Sequence, residues 1–377
     1  MKTNAFNYRD EIDKIITSCQ YNLLNKDKSK LLLSILREEL KYATDNNRHI
    51  RSYFDKLRIK ISDIRFLKDI PFIPVQMFKE FDLLTCKKED VVRVIRSSGT
   101  TNQVPSKISL NKATSLRQMK ALIATLKFYL GNKRRLFLVV DTEDVNKASF
   151  TDLTARGAAI QGLSSFAKRT YFLLKKDSSG ELILDTDLIK EILDQLKNEE
   201  IYVFGFTFII WSIFYPQINS VGINLNFKSV KLFHSGGWKR LKSQSVSKEI
   251  FNQKISEIFC TDKGNIIDFY GMAEQTGVIF LDCEYQNKHV PDFAEVIIRN
   301  PLTLEECKID EMGLIEVLSV LSDSYYSQGV LTEDLGILKG IDDCPCGRKG
   351  KYFQFISRVE KAEIRGCGDT FATKVQL

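Results

Sequence analysis

Hydrophobic positions near the start of the chain recur at the spacing of an amphipathic helix. Two such sets are Ile12, Ile15, Ile16, Cys19 and Leu23, followed by Leu31, Leu32, Ile35, Leu36 and Leu40. The spacing predicts an N-terminal helical region over residues 1–67, which holds no catalytic constellation. A short segment with two prolines, Pro71–Pro74, then turns the chain into its main body.

From Val91 onward the pattern changes to short apolar runs that are typical of buried strands. These runs cover residues 91–95, 136–141, 201–206 and 230–233. Helical spacing separates them, over residues 116–129 and 188–196. Strands that alternate with helices predict an α/β body with at least partly parallel sheets.

After about residue 290 the chain turns to shorter strand-like segments, over residues 294–299, 313–319 and 336–340. They predict a small antiparallel β subdomain packed on the first part. We therefore divide the chain into the helical region, a main body over residues 68–340 and a C-terminal segment over residues 341–377.

The most apolar stretch, Ile201–Tyr215, has 15 residues and contains a glycine and a threonine. A bilayer span needs about 20 residues, so we expect a buried strand passing into a buried helix and no transmembrane segment. The N-terminus is polar and does not have the pattern of a secretory signal. We expect a cytoplasmic protein whose eight cysteines are thiols or metal ligands.

Composition excludes several classes of protein. Of the 377 residues, 44% are hydrophobic and 27% are charged, as in a folded globular chain and unlike a disordered one. The formal net charge is +7, from 55 basic and 48 acidic residues. The basic residues occur in short scattered clusters, so no nucleic-acid partner is expected.

Four short motifs hold the chemistry-bearing residues. Residues 97–107, SSGTTNQVPSK, begin where a strand ends and offer backbone amides, hydroxyls and a lysine to a phosphate. Residues 234–238, HSGGW, contain adjacent glycines that permit close approach. Residues 268–274, DFYGMAE, combine a ring for a base with a carboxylate for Mg²⁺. Residues 331–336, LTEDLG, offer a carboxylate to ribose hydroxyls. Taken singly, none of the four decides a function, and a turn explains each of the first two equally well.

In this order, and together with PSKI at 105–108 and RGCGDT at 365–370, the motifs resemble the acyl-protein synthetase family of the adenylate-forming superfamily. The resemblance covers about residues 68–377. It implies an adenylate-forming large domain with α/β subdomains and a small antiparallel β subdomain. Most of the superfamily continues into a mobile lid with a catalytic lysine, whereas this sequence stops at Leu377, so we expect it to lack the full C-terminal lid domain.

The resemblance also implies roles for individual residues. Those expected to bind ATP are Ser97, Ser98, Gly99, Thr100 and Thr101 with Lys107 at the phosphates, Gly236 and Gly237 beside adenine, Tyr270 next to Gly271 stacking on it, Asp334 at the ribose, and Arg358 at the ribose or a phosphate. Glu274 is expected to bind Mg²⁺. Two positions depart from the family pattern: Asn102 and Ser357 stand where relatives usually have glycine. Asparagine tolerates the left-handed conformation better than most residues, so the turn at Asn102 can survive.

The implied reaction is ATP-dependent activation of a carboxylic acid, expected to be a fatty acid, to an acyl-adenylate with release of pyrophosphate. Cys367 matches the cysteine that accepts the acyl group as a thioester in the family. Its neighbours Gly366 and Gly368 keep the thiol accessible, and Arg365 favours the reactive thiolate. A reductase subunit, a carrier protein or CoA would then receive the acyl group. With Cys367, Glu274 and Lys107 are the residues predicted to act in catalysis.

A separate group of soft ligands comprises Cys283, His289, Cys344 and Cys346. Two pairs of nitrogen or sulfur ligands separated by a long loop suit tetrahedral Zn²⁺. The single residue between Cys344 and Cys346 is a tighter spacing than usual. The alternative is three ordinary thiols and a surface histidine.

Two other functions remain open from the sequence. One is an aryl- or acyl-CoA synthetase similar to phenylacetate-CoA ligase, and the other is a non-catalytic nucleotide-binding scaffold. The enzymatic interpretation requires that Ser98, Gly236, Tyr270, Glu274 and Asp334 converge on one nucleotide.

Overall fold

The computed structural model describes residues 7–96, 106–146, 155–236 and 245–359. Several predicted site residues lie outside these ranges, namely Ser97, Ser98, Gly99, Thr100, Thr101, Gly237 and Cys367. The helices are α1 (Tyr8–Thr17), α2 (Asn25–Asn46), α3 (Arg48–Lys56), α4 (Met77–Glu80), α5 (Lys112–Leu130), α6 (Ala155–Ser164), α7 (Thr186–Leu196), α8 (Thr207–Ile209), α9 (Tyr215–Ser220) and α10 (Lys248–Ile258).

The strands are β1 (Ile73–Pro74), β2 (Val91–Arg96), β3 (Lys107–Asn111), β4 (Arg135–Val139), β5 (Ala167–Phe172), β6 (Leu174–Lys176), β7 (Leu182–Leu184), β8 (Glu200–Phe206), β9 (Ser229–Ser235), β10 (Ile266–Gly271), β11 (Ile279–Leu281), β12 (Lys288–His289), β13 (Ala294–Arg299), β14 (Met312–Ser319), β15 (Val330–Ile341) and β16 (Lys351–Arg358). The described residues form two compact units. The first contains the residues up to 124 and most of those from 271 onward, and the second consists mainly of residues 125–270.

The helical prediction for the N-terminus is confirmed for α1 and α2. Helix α1 begins after Asn7, whose side chain accepts a hydrogen bond from the Arg9 amide, and it buries Ile12, Ile15 and Ile16. The predicted extension of this face to Cys19 is wrong, because the backbone is extended at Ser18 and Cys19 is exposed.

The first unit contains an antiparallel sheet in the order β12-β16-β15-β14-β13, with β1 added in parallel to β15. This confirms the small antiparallel β subdomain predicted from the segments after about residue 290. The segment Pro71–Pro74, predicted to turn the chain, also supplies strand β1. The run at 91–95 forms β2, which pairs antiparallel with β3 in a separate two-stranded sheet and not within a parallel body.

The second unit contains a sheet in the order β11-β10-β9-β8-β4-β5. Pairs β4–β5, β4–β8, β8–β9 and β9–β10 are parallel, which confirms the predicted α/β pattern. The central strands β4 and β8 are nearly continuous apolar runs because both of their faces are buried. Leu138, Val203 and Leu232, from three of these strands, lie in one apolar core with 0% exposure.

The stretch Ile201–Tyr215 forms β8 and then runs directly into α8, a π-helical turn at Ile210–Phe214, and the start of α9. The predicted strand passing into a buried helix is therefore confirmed. Within the described ranges, no helix is both long enough and apolar enough to cross a membrane.

Candidate functional site

The second unit places the predicted adenine-binding segment at the carboxyl ends of its parallel strands. Strands β8, β9 and β10 are adjacent, with His234 of β9 aligned with Gly205 of β8 and with Asp268 of β10. In open α/β sheets, ligands bind at the carboxyl ends of the strands. This edge therefore has the location that the motif at residues 234–238 requires.

Gly236 directly follows β9 and has a φ of +91°, in the region that favours glycine. A Cβ atom at this position would lie 2.8 Å from Cδ1 of Phe206. Both the backbone conformation and the close packing therefore exclude a larger residue. Gly237, its predicted companion beside adenine, lies outside the described residues.

His234 is a strand-end residue to which the motif analysis assigned no role. It is buried, and its Nδ1 lies 2.9 Å from Oγ1 of Thr207 and 3.9 Å from Oδ1 of Asp268. Its ring also packs on Phe251, with centroids 4.6 Å apart. The available signal was its place directly before the Ser-Gly-Gly turn at the end of a predicted strand.

Tyr270, predicted to stack on adenine, lies near the end of β10 and is buried. Its ring stacks on Phe280 with centroids 6.0 Å apart and an interplanar angle of 21°. Gly271, the last residue of the strand, is exposed. The neighbouring aromatic ring orients the tyrosine side chain, and its contact with a base stays a prediction.

Glu274, the predicted Mg²⁺ ligand, lies in the first unit within a 3₁₀ turn, Ala273–Gln275, and is 6% exposed. Its main-chain carbonyl accepts a hydrogen bond from the Tyr325 hydroxyl at 3.0 Å. Burial raises the pKa of Tyr325. Nε2 of Gln275 donates to the carbonyl of Ser327 at 2.7 Å. These bonds hold the backbone that presents the carboxylate.

Asp334, predicted to hold the ribose, and Arg358, predicted to contact ribose or phosphate, are brought together in the first unit. They are cross-strand neighbours on β15 and β16, and Nε of Arg358 donates to Oδ1 of Asp334 at 2.8 Å. The aspartate side chain is 5% exposed and the arginine side chain 73%. The carboxylate is therefore oriented by a cation that remains accessible to a ligand.

Lys107, predicted to close the phosphate loop, is the exposed first residue of β3 and pairs with Arg96 of β2. The hydroxyl-rich part of that loop lies outside the described residues. The described residues thus place Gly236 and Tyr270 in the second unit, and Glu274, Asp334 and Lys107 in the first. Their convergence on one nucleotide stays a prediction.

The four predicted metal ligands come together. One ligand atom from each of Cys283, His289, Cys344 and Cys346 lies within 4.8 Å of all the others. The first three are buried, so the alternative of a surface histidine is wrong. Burial raises the pKa of the Cys346 thiol, but hydrogen bonds from the backbone and side chain of Arg348 outweigh it, and this pKa lies below its ordinary value.

Comparison with known proteins extends these observations. The sequence matches the family described as "Acyl-protein synthetase, LuxE" over residues 2–376. The chain belongs to this acyl-protein synthetase family. Membership confirms the family resemblance and the prediction of a ligase.

Two curated relatives of this acyl-protein synthetase are each named long-chain-fatty-acid–luciferin-component ligase. The protein from Aliivibrio fischeri is 25% identical over 385 aligned positions, covering 100% of this chain and 97% of the relative. The protein from Vibrio harveyi is 23% identical, covering 95% of this chain and 92% of the relative.

Solved structures share the fold of this acyl-protein synthetase. A 2-hydroxyisobutyryl-CoA ligase in an open conformation, in complex with 2-HIB-AMP and CoA, superposes with a TM-score of 0.65 at 16% identity, covering 88% of this chain and 74% of that chain. Its postadenylation state in complex with 2-HIB-AMP gives 0.66 at 14% identity, covering 89% and 69%. The similarity confirms the adenylate-forming fold class.

Proposed function

We propose that this acyl-protein synthetase uses ATP to activate a fatty acid as an acyl-adenylate, and then carries the acyl group as a thioester on Cys367. The observation that carries the proposal is the family match over residues 2–376. The two relatives named for long-chain fatty acids support the substrate class. Cys367 lies outside the described residues, and its role rests on the match of its sequence context.

In the first step, a carboxylate oxygen of the acid attacks the α-phosphorus of ATP. The bond from that phosphorus to the pyrophosphate oxygen breaks, and pyrophosphate leaves. Catalysis of this kind consists mainly of positioning and charge neutralisation. Glu274 would hold Mg²⁺, which offsets the charge of the phosphates when bound.

Several of the predicted residues would position the nucleotide. Asp334 would accept hydrogen bonds from the ribose hydroxyls, since Arg358 already orients its carboxylate at 2.8 Å. Gly236, which directly follows β9 at the carboxyl ends of the parallel strands, would lie beside the adenine. Lys107, exposed at the start of β3, would donate a charged hydrogen bond to a phosphate oxygen.

In the second step, the Cys367 thiolate attacks the carbonyl carbon of the acyl-adenylate. The bond from that carbon to the phosphate oxygen breaks, and AMP leaves with the electron pair. The acyl group is then transferred from sulfur to an acceptor, which we propose to be a protein such as a reductase or an acyl carrier.

The activation step is tested by exchange of labelled pyrophosphate into ATP, measured over a panel of carboxylic acids with Mg²⁺. We expect acid-dependent exchange that is strongest with long-chain fatty acids. Absence of exchange with every acid would support the scaffold alternative and refute the proposal.

The acyl-carrier step is tested with Cys367→Ser, with Cys19→Ser as the matched control because Cys19 is an exposed free thiol. With labelled fatty acid and ATP, we expect the Cys19 variant to form the labelled thioester and the Cys367 variant to lose it while keeping pyrophosphate exchange. Labelling of the Cys367 variant at the normal level would contradict the acyl-carrier role. Formation of acyl-CoA without any enzyme-bound acyl group would instead support the CoA synthetase alternative.

A further inference from the structure

We infer that Cys283, His289, Cys344 and Cys346 bind one structural Zn²⁺, and that this ion holds the loop that caps helix α2. The inference does not depend on the proposed reaction, because the ligands and the capped helix are outside the residues assigned to ATP or acyl transfer.

The ligand set suits a closed tetrahedral site. Zinc–ligand bonds of about 2.0–2.3 Å place tetrahedral ligand atoms roughly 3.6–3.8 Å apart. Here all four atoms lie within 4.8 Å of one another, and Sγ of Cys346 is 3.2 Å from Nε2 of His289. Small side-chain adjustments therefore complete the geometry. Four protein ligands leave no open position for substrate, which is typical of structural zinc.

The backbone explains how Cys344 and Cys346 can bind the same ion although only one residue separates them. Gly347 has a φ of +83°, and its amide donates to the carbonyl of Cys344 at 2.9 Å. This hydrogen bond closes a tight turn that holds Cys346 near Cys344, and the left-handed glycine redirects the chain after it. The short spacing, which weakened the sequence prediction, is therefore compatible with shared coordination.

Hydrogen-bond donors surround the thiols. The amide of Tyr285 donates to Sγ of Cys283 at 3.4 Å, and Nδ2 of Asn287 donates to Sγ of Cys344 at 3.9 Å. Zinc with three thiolates and one neutral imidazole carries one net negative charge. Buried Arg348, which hydrogen-bonds Cys346, offsets that charge. Such outer groups orient metal ligands and stabilise the thiolate form.

The same loop connects the cluster to the N-terminal helices. Both carboxylate oxygens of Asp342 accept from the amide of Asn25, at 3.0 and 3.1 Å, and one also accepts from the amide of Gly350 at 2.7 Å. Helix α2 has Leu24 at its N-cap, which supplies no side-chain hydrogen bond. Asp342 therefore provides the missing cap from a distant part of the chain.

A second connection reinforces the first. The amide of Lys349 donates to the carbonyl of Tyr21 at 2.8 Å, and the Tyr21 ring meets His289 edge-on at 6.1 Å. The loop between β15 and β16 thus contacts the start of α2 through Asp342, which precedes Cys344, and the segment before α2 through Lys349, which follows Cys346. An ion that fixes this loop also fixes the start of α2.

Metal content tests the site directly. We expect about one zinc per chain in the purified full-length protein by inductively coupled plasma mass spectrometry. The double variant Cys344→Ser/Cys346→Ser should lose the zinc, whereas Cys307→Ser, which removes a buried thiol elsewhere, should retain it. Wild-type protein with less than about a tenth of an equivalent of zinc, or with iron in its place, would overturn the inference.

Hydrogen exchange tests the structural role on the wild-type chain. Removal of zinc by a chelator should speed amide exchange in the first turn of α2 and in residues 342–350, and leave β8 and β9 unchanged. Readdition of zinc should restore protection. Unchanged exchange in α2 after complete zinc removal would refute the capping role, and this measurement needs no variant that could fail to fold.

Discussion

The two units of the molecule bury different kinds of side chains. The sheet of the first unit encloses ionisable groups within its own layers, whereas the second unit packs its parallel sheet with apolar residues. In the first unit, Glu295 and Glu316 are completely buried on adjacent strands. Lys28 of α2 lies 3.7 Å from Glu295, and Arg299 lies 2.5 Å from Glu316.

In the second unit, the buried ionisable side chains among the described residues lie near strand ends. Asp141 follows β4, His234 is in the last two residues of β9, and Asp282 directly follows β11. Asp141 and His234 lie at the carboxyl ends of parallel strands, where ligands bind in open α/β sheets. The two units thus differ in where they bury charged side chains, within the sheet in the first unit and beside strand ends in the second.

The largest loss of stability is expected from Arg299→Met, which removes one partner of a buried charge pair in the first unit. The Arg299 guanidinium also donates to the carbonyl of Lys68 at 2.8 Å. Loss of the guanidinium would remove this hydrogen bond and leave the Glu316 carboxylate buried without its ion-pair partner. Removal of one partner of a buried pair costs about 3–5 kcal/mol. Urea unfolding would measure this decrease in the free energy of unfolding.

The matched control for this prediction is Lys339→Met. Lys339 pairs with Asp310, but both side chains are partly exposed, and such a pair contributes at most about 1 kcal/mol. Equal losses in the two variants would show that buried charge has no special importance in this unit.

An intermediate loss of stability is expected from Gly236→Ala in the second unit. The positive φ alone costs about 1–2 kcal/mol for a residue with a Cβ, and contact with Phe206 adds to it. We also expect reduced pyrophosphate exchange, because the strained backbone and the displaced Phe206 ring would disturb the turn proposed to lie beside adenine. Gly222→Ala is the control, since it has a φ of +67° with no atom within 4 Å of the added Cβ. Normal exchange in the Gly236 variant would refute its binding role.

The smallest change in the free energy of unfolding, measured at mildly acidic pH, is expected from Glu39→Gln. Burial raises the pKa of Glu39, and nearby Arg117 only partly opposes this. The folded state therefore keeps a proton that the unfolded chain has lost, so the wild type loses stability as pH rises toward the raised pKa. Glutamine does not titrate, and the variant should become relatively more stable at higher pH.

Urea unfolding at about pH 5 and about pH 8 would measure this difference. Glu38→Gln, on the exposed face of the same helix, should keep the pH dependence of the wild type. An identical pH dependence in the Glu39 variant would contradict protonation of the buried carboxyl.

Much of the fold could be predicted from local pattern. The runs at 136–141, 201–206 and 230–233 correspond to β4, β8 and β9, because strands buried on both faces must be apolar along their length. The run at 91–95 has the same character, yet β2 forms an antiparallel pair with β3. Apolar character does not specify a partner strand, so this pairing could not be predicted.

For the site residues too, the sequence predicts individual residues, and the tertiary structure decides which of them lie together. The family resemblance implied roles for Asp334 and Arg358 separately, and only the register of β15 and β16 places them opposite one another. The environment of His234 is set by Thr207 and Asp268, which come from segments distant in the chain. Asp342 lies in no motif, and its capping of α2 joins residues 317 positions apart.

The sequence by itself determined the periodicity of the helices and strands, the motifs of an acyl-protein synthetase, and the set of soft ligands. These properties depend on residue type and short spacing, which the chain carries locally. Tertiary structure alone decided which strands pair, which charges become buried together, and that four separated side chains lie within 4.8 Å of one another. Such features depend on contacts between segments far apart in the chain, and local spacing does not specify those contacts.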